Sequence, residues 1–172
     1  MKRLSVLAAI LALAIGCSKS STSPTPTTPT NPTFTVDMRP ANEVPPITNA
    51  ESTGSGQMTI TFAVTRDASN NITAATGTFI GNFTGFPAGT ALTAAHIHPG
   101  ATGVNGSALI SLLLTQGQIV FTNGSGAISV SNITVPPEQA QAIIANPAGY
   151  YFNIHTALNP GGVARGQLVR TQ

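Results

Sequence analysis

From Phe34 to the C-terminus, apolar residues recur at every second position, in short runs separated by Gly, Asn and Pro. Met58, Ile60, Phe62 and Val64 alternate with Thr59, Thr61 and Ala63. Ala108, Ile110, Leu112 and Leu114 repeat the pattern, with Leu113 on the other face pointing to partial burial there. A period of two puts alternate side chains on opposite faces of a strand, so each run reads as a strand with one face on a core. Phe34 to Met38, Ile72 to Phe79, Leu92 to His98, Gln118 to Thr122, Gly126 to Ser131, Tyr150 to His155 and Val163 to Arg170 read the same way, about nine strands in all. One segment departs from this period. Val135-Pro136-Pro137 opens it, good helix formers fill it and Asn146-Pro147 stops it, which predicts one short helix near residues 137–145. Short antiparallel strands with closely spaced turn residues predict an all-β fold, a Greek-key β-sandwich or barrel.

The first residues have a different character. Met1-Lys2-Arg3 is basic, Leu4 to Ile15 is apolar apart from Ser5, and Gly16-Cys17 follows, the pattern of an export signal over residues 1–16. Twelve helical residues span about 18 Å, short of the ~30 Å hydrocarbon core, so a signal fits better than a membrane span. Ala14-Ile15-Gly16-Cys17 resembles the lipobox of bacterial lipoproteins, with Ala14 where Leu is usual. That resemblance implies lipidation of Cys17 and a lipid-anchored protein of the bacterial cell envelope, and Ser18 implies the outer membrane or cell surface. Residues 18–33 carry no apolar residue except Pro and read as a tether, leaving residues 34–172 as one β domain.

Charge is scarce: 7% of the 172 residues, against roughly 25% in an average soluble domain. Without Lys2 and Arg3, five basic residues balance five acidic ones, and no basic cluster is available for a phosphate backbone, which argues against nucleic acid as a partner. One Cys excludes a disulfide framework and a Cys-rich zinc site. The acidic residues Asp37, Glu43, Glu51, Asp67 and Glu138 are scattered, and no G-x-S-x-G elbow is present, so the chain is not expected to be an enzyme.

All three histidines fall in two motifs. In Ala94-Ala95-His96-Ile97-His98-Pro99-Gly100, His96 and His98 share one face of a strand, with Cα atoms about 7 Å apart. In Tyr151-Phe152-Asn153-Ile154-His155-Thr156, the residues Tyr151, Asn153 and His155 share one face, and Asn159-Pro160-Gly161-Gly162 leads to a hairpin partner that carries Arg165. These two stretches, with Ala41-Asn42-Glu43-Val44-Pro45-Pro46, occur in the order found in the chordin-type (CHRD) domain family, which the chain resembles over about residues 34–170. The resemblance implies an extracellular β-sandwich module. It also marks Glu43, His96, His98, Tyr151, Asn153, His155 and Arg165 as motif or binding residues. The family usually carries an acidic residue where this chain has Val163.

Two functions follow as expectations. The first is a non-catalytic envelope module, structural or binding an envelope protein or small ligand, in which the histidines join Asn153, Tyr151 and Arg165 in a hydrogen-bonded cluster. Arg165 then anchors its strand through Glu43 or backbone carbonyls. The second is a copper or zinc site formed by His96 and His98, with His155 brought in by sheet pairing and one coordination position left open. Glu43 is a possible acidic ligand in that case.

Overall fold

The computed structural model describes residues 31–172; the expected export signal, Cys17 and residues 18–30 of the expected tether lie outside the described residues. In chain order the strands are β1 (Thr33–Met38), β2 (Ser55–Arg66), β3 (Ile72–Thr84), β4 (Thr90–Pro99), β5 (Ile110–Ser111), β6 (Val120–Phe121) and β7 (Gly126–Val135). Helix α1 (Pro137–Ala145) follows, then β8 (Tyr150–Thr156), β9 (Ala164–Gln167) and β10 (Val169–Arg170). They form the expected sandwich of two antiparallel sheets. The first has the order β10-β1-β2-β3-β7; the second has the order β5-β4-β8-β9, with β6 also paired to β4.

The alternation in the sequence sorts the side chains. Phe34, Val36 and Met38 of β1 and Met58, Ile60 and Phe62 of β2 turn inward, while Thr35, Asp37, Thr59 and Ala63 face water. Ala95, Ile97, Phe152 and Ile154 meet them from the second sheet. Phe79 stacks on Phe152 across the interface, ring centroids 5.9 Å apart, and Phe83, Phe86 and Phe121 fill one end. All seven phenylalanines are buried, so the core consumes the aromatic area that a flat carbohydrate platform would need. Helix α1 begins with Pro137, carries Glu138 in its first turn and buries Ala140, Ile143 and Ile144. No described helix is long and apolar enough to cross a membrane.

Three expected strands come out differently; of Gln118 to Thr122, only Val120 and Phe121 pair, and Thr122 opens a 3₁₀ turn. Of the run from Ala108 to Leu114, only Ile110 and Ser111 pair as a strand. Leu113 adopts a positive φ of 54° and is 81% exposed, so it breaks the alternation and is not partly buried. The run from Val163 to Arg170 serves both sheets: β9 pairs with β8, and β10 pairs with β1. Buried Leu168 marks the passage between them.

The sheets meet at that corner. Arg39 and Arg165 exchange backbone hydrogen bonds of 3.1 and 3.3 Å, and beside them Gly166 lies against the β1 backbone. A Cβ at Gly166 would come 2.1 Å from the Asp37 carbonyl oxygen, a contact that only backbone movement relieves. Gly166→Ala is therefore expected to cost about 1–3 kcal/mol, typical of overpacking. Urea unfolding checks this, and an unchanged midpoint would mean that the corner yields without cost.

The second sheet is covered on both faces. Every residue from Tyr151 to Thr156 is buried, although only Phe152, Ile154 and Thr156 occupy one face. The opposite face lies beneath the segment around Glu43, the Val104–Gly106 loop and the turn through Pro160.

Candidate metal centre

Strand register assembles the covered face. His96 of β4 stands directly opposite Asn153 of β8, and Asn153 directly opposite Arg165 of β9; the next row holds His98, Tyr151 and Gln167. His155 lies two residues beyond Asn153 on the same face. Glu43, just beyond the 3₁₀ turn Pro40–Asn42, reaches down onto Asn153. All seven residues singled out in the sequence motifs thus share one neighbourhood.

Nδ1 of His98 lies 2.9 Å from the Gly106 carbonyl oxygen, and Nδ1 of His155 lies 3.0 Å from that of Pro160. A carbonyl oxygen only accepts, so both rings carry their proton on Nδ1 and present Nε2 as a lone pair. The Nε2 of His155 takes up the Nδ1–H of His96 at 3.0 Å, whereas the Nε2 of His98 is buried with no partner. One nitrogen from each of the three residues can be chosen so that all lie within 4.8 Å of one another. An ion with bonds of about 2.0–2.1 Å spans at most ~4.2 Å between two nitrogens, so ring rotation that gives up the His96–His155 hydrogen bond and turns the lone pairs of both rings toward a common point closes the set.

Burial holds the rings neutral. It is the main reason that His96 is lowered from 6.5 to about 4, and the neighbouring imidazoles His155 and His98 lower it further. Burial also lowers His98 and His155, against the backbone hydrogen bonds to Gly106 and Pro160. Neutral imidazole is the form that ligates a metal, and a carbonyl gripping the far nitrogen is the usual way a ligating ring is oriented.

A second layer flanks the imidazoles. Tyr151 stacks on His98 with centroids 4.9 Å apart and planes 3° from parallel, and the Arg165 guanidinium carbon lies 4.5 Å from the Tyr151 ring centre. Arg165 Nε donates to the Asn42 carbonyl at 2.7 Å, and Nη1 donates to Asn105 Oδ1 at 2.8 Å. The Glu43 carboxylate sits 4.0 Å from Arg165 Nε and accepts from Asn153 Nδ2 at 3.2 Å. Burial raises Glu43 from 4.5 to about 7, partly offset by Arg165 and the Asn153 hydrogen bond. Glu43 and Arg165 also line a cleft of about 540 Å³, which none of the three histidines reaches.

A model of the CHRD domain matches residues 34–168. The chain belongs to the CHRD domain family. No curated protein and no solved structure matches it. The family match points to a non-catalytic binding or structural module. In this CHRD domain Glu43 comes from the first motif, the histidine pair from the second, and His155, Asn153 and Arg165 from the third. Val163, where the family usually has an acid, is fully buried.

Several residues of the site were not singled out in the sequence. Asn105 and the Gly106 and Pro160 carbonyls orient the functional side chains, yet backbone carbonyls have no residue signature, and the glycine-rich turn after His98 was the only hint. Nor was the buried cluster behind the Pro160 turn anticipated: Glu51 Oε2 accepts from Thr156 Oγ1 at 2.7 Å and from Asn159 Nδ2 at 2.5 Å. It fixes that turn against the segment after Pro46.

The shifts set a pH dependence for the metal-free CHRD domain. All three histidines are lowered in the fold, so their contribution to stability is full above pH 6.5 and is lost on acidification, for His96 as pH falls through about 4. Glu43 is raised, so its contribution is full below 4.5 and is lost as pH rises to about 7. Three groups outweigh one, so stability is expected to fall on acidification from pH 6.5 to 4, and His96→Gln to flatten the fall. Chemical denaturation across that range checks it; a profile that rises throughout would contradict the assignment.

Proposed function

We propose that this CHRD domain is a metal-binding module that holds one divalent ion, copper or zinc, on His96, His98 and His155. The observation that carries the reading is the unpartnered Nε2 of His98, a buried lone pair on a ring whose other nitrogen is held by a carbonyl. Leaving such an acceptor unsatisfied costs about 1–3 kcal/mol, and an ion shared with two neighbouring imidazoles removes that cost. Three neutral nitrogen donors suit both ions and leave one coordination position open. Among the described residues this is the one group of three ligand-type side chains close enough to share an ion.

The reading places the module at the bacterial cell envelope, anchored through a lipid on Cys17 and spaced from the membrane by the Pro/Thr/Ser-rich tether. The support is the sequence of residues 1–33. Cys17→Ser should move the protein from the membrane fraction to the soluble one; unchanged fractionation would remove the anchor from the proposal.

The metal reading is tested by calorimetric titration of the purified protein with Cu²⁺ and Zn²⁺, beside a His96→Ala/His98→Ala variant. One ion per chain, with affinity reduced at least about 100-fold in the variant, is expected. Absence of stoichiometric binding, or binding that survives the double substitution, would leave the histidines as a hydrogen-bonded cluster.

A further inference from the structure

Four buried side-chain atoms lack a hydrogen-bond partner among the described residues, and three belong to this one face: His98 Nε2, Asn153 Oδ1 and Arg165 Nη2. The fourth, Gln139 Oε1, is on helix α1. Two of the three are acceptors and one is a donor. Asn153 stands at the centre of the group, directly opposite His96 on one side and Arg165 on the other, and two residues from His155.

The orientation of its amide is determined by its neighbours. Asn153 Nδ2 donates to both carboxylate oxygens of Glu43, at 3.2 and 3.4 Å, so the other end of the amide presents Oδ1. Gly162 makes room for it: a Cβ there would come 2.4 Å from Asn153 Nδ2 and 2.9 Å from Oδ1. Arg165 uses Nε and Nη1 on Asn42 and Asn105, which leaves Nη2 as a buried donor with nothing to bond.

We infer that the open fourth position of the metal site is filled by a water held between Asn153 and Arg165. The inference rests on the metal reading above. The ion takes up the His98 lone pair. Its water binds the ion through one oxygen lone pair, accepts from Arg165 Nη2 through the other and donates a hydrogen to Asn153 Oδ1. One ion and one water thus satisfy all three unpartnered atoms. Asn153 and Arg165 act as positioning residues, and Glu43 holds the amide in its working orientation.

The test is the full chain loaded with Cu²⁺ and transferred to D₂O, with electron spin echo spectroscopy reporting exchangeable water on the copper. Wild type is expected to show one bound water. Asn153→Ala is expected to keep the three histidine ligands, to bind copper about 10-fold more weakly and to lose or weaken the water signal. Copper held by three histidines without exchangeable water in the wild type would overturn the inference, and that measurement does not depend on the variant folding. A folded Asn153→Ala protein with unchanged affinity and water signal would overturn it too, while leaving the metal reading standing. Failure of the wild type to bind copper or zinc would overturn the metal reading itself.

Discussion

Arg165→Met is expected to destabilise the domain by about 3–5 kcal/mol at pH 8, the usual consequence of removing one partner of a buried ion pair. Arg165 is 2% exposed and joins three separate stretches of chain: its own strand, the Asn42 carbonyl, and the loop carrying Val104 and Asn105. Removing it cuts those ties, takes the guanidinium off the Tyr151 ring and strands the Glu43 carboxylate at the protein interior. Glu43→Gln still offers Asn153 an acceptor but carries no charge, so the double variant Glu43→Gln/Arg165→Met should be more stable than the sum of the single losses by about 1–3 kcal/mol. Because burial raises Glu43 to about 7, its side chain is largely protonated at pH 5.5, and the Arg165→Met penalty should be smaller there than at pH 8. Urea unfolding of the four proteins at both pH values closes the cycle. Additive losses that do not change with pH would show that the two groups are not coupled.

Saturating copper or zinc is expected to raise stability by about 4 kcal/mol when free ion exceeds the dissociation constant a thousandfold, since only the folded chain brings the three imidazoles together. For a domain of this size that corresponds to roughly 10–20 °C in melting temperature. His98→Ala should abolish the increase. With His96 held near 4 and the other two rings also lowered, protons compete poorly for the site, so the stabilisation should persist from pH 8 to about 5.5 and disappear only toward pH 4. Calorimetric melting with and without ion, in wild type and variant, is the check. An equal shift in both would assign the effect to metal bound elsewhere.

The fold was legible wherever burial was one-sided. Met58, Ile60 and Phe62 alternate with exposed or half-buried residues because one face of β2 meets the core and the other meets water, and the helix at 137–145 was readable from its Pro start and Asn-Pro stop. Legibility failed where pairing depends on what lies alongside. Val163 to Arg170 is one continuous run in sequence, but the chain moves from β8 to β1 at Leu168, and nothing local marks the change of partner. Leu113 reads as the far side of a strand, yet its positive φ ends the pairing.

The site divides in the same way. Period-two geometry alone put His96 and His98 on one face and aligned Tyr151, Asn153 and His155 on another, because successive side chains of a strand must point to opposite sides. Strand register then decided what no spacing contains: that β4 lies beside β8 with His96 opposite Asn153, and that Glu43, 110 residues away in sequence, meets the same amide. The tautomers of His98 and His155 are set by the carbonyls of Gly106 and Pro160, groups that every residue possesses and that acquire a role only through position. Sequence determined which side chains could act together, through the fixed periodicity of a strand. Tertiary structure decided which of them meet, how deeply they are buried and which nitrogen each ring presents, because these follow from contacts between segments far apart in the chain.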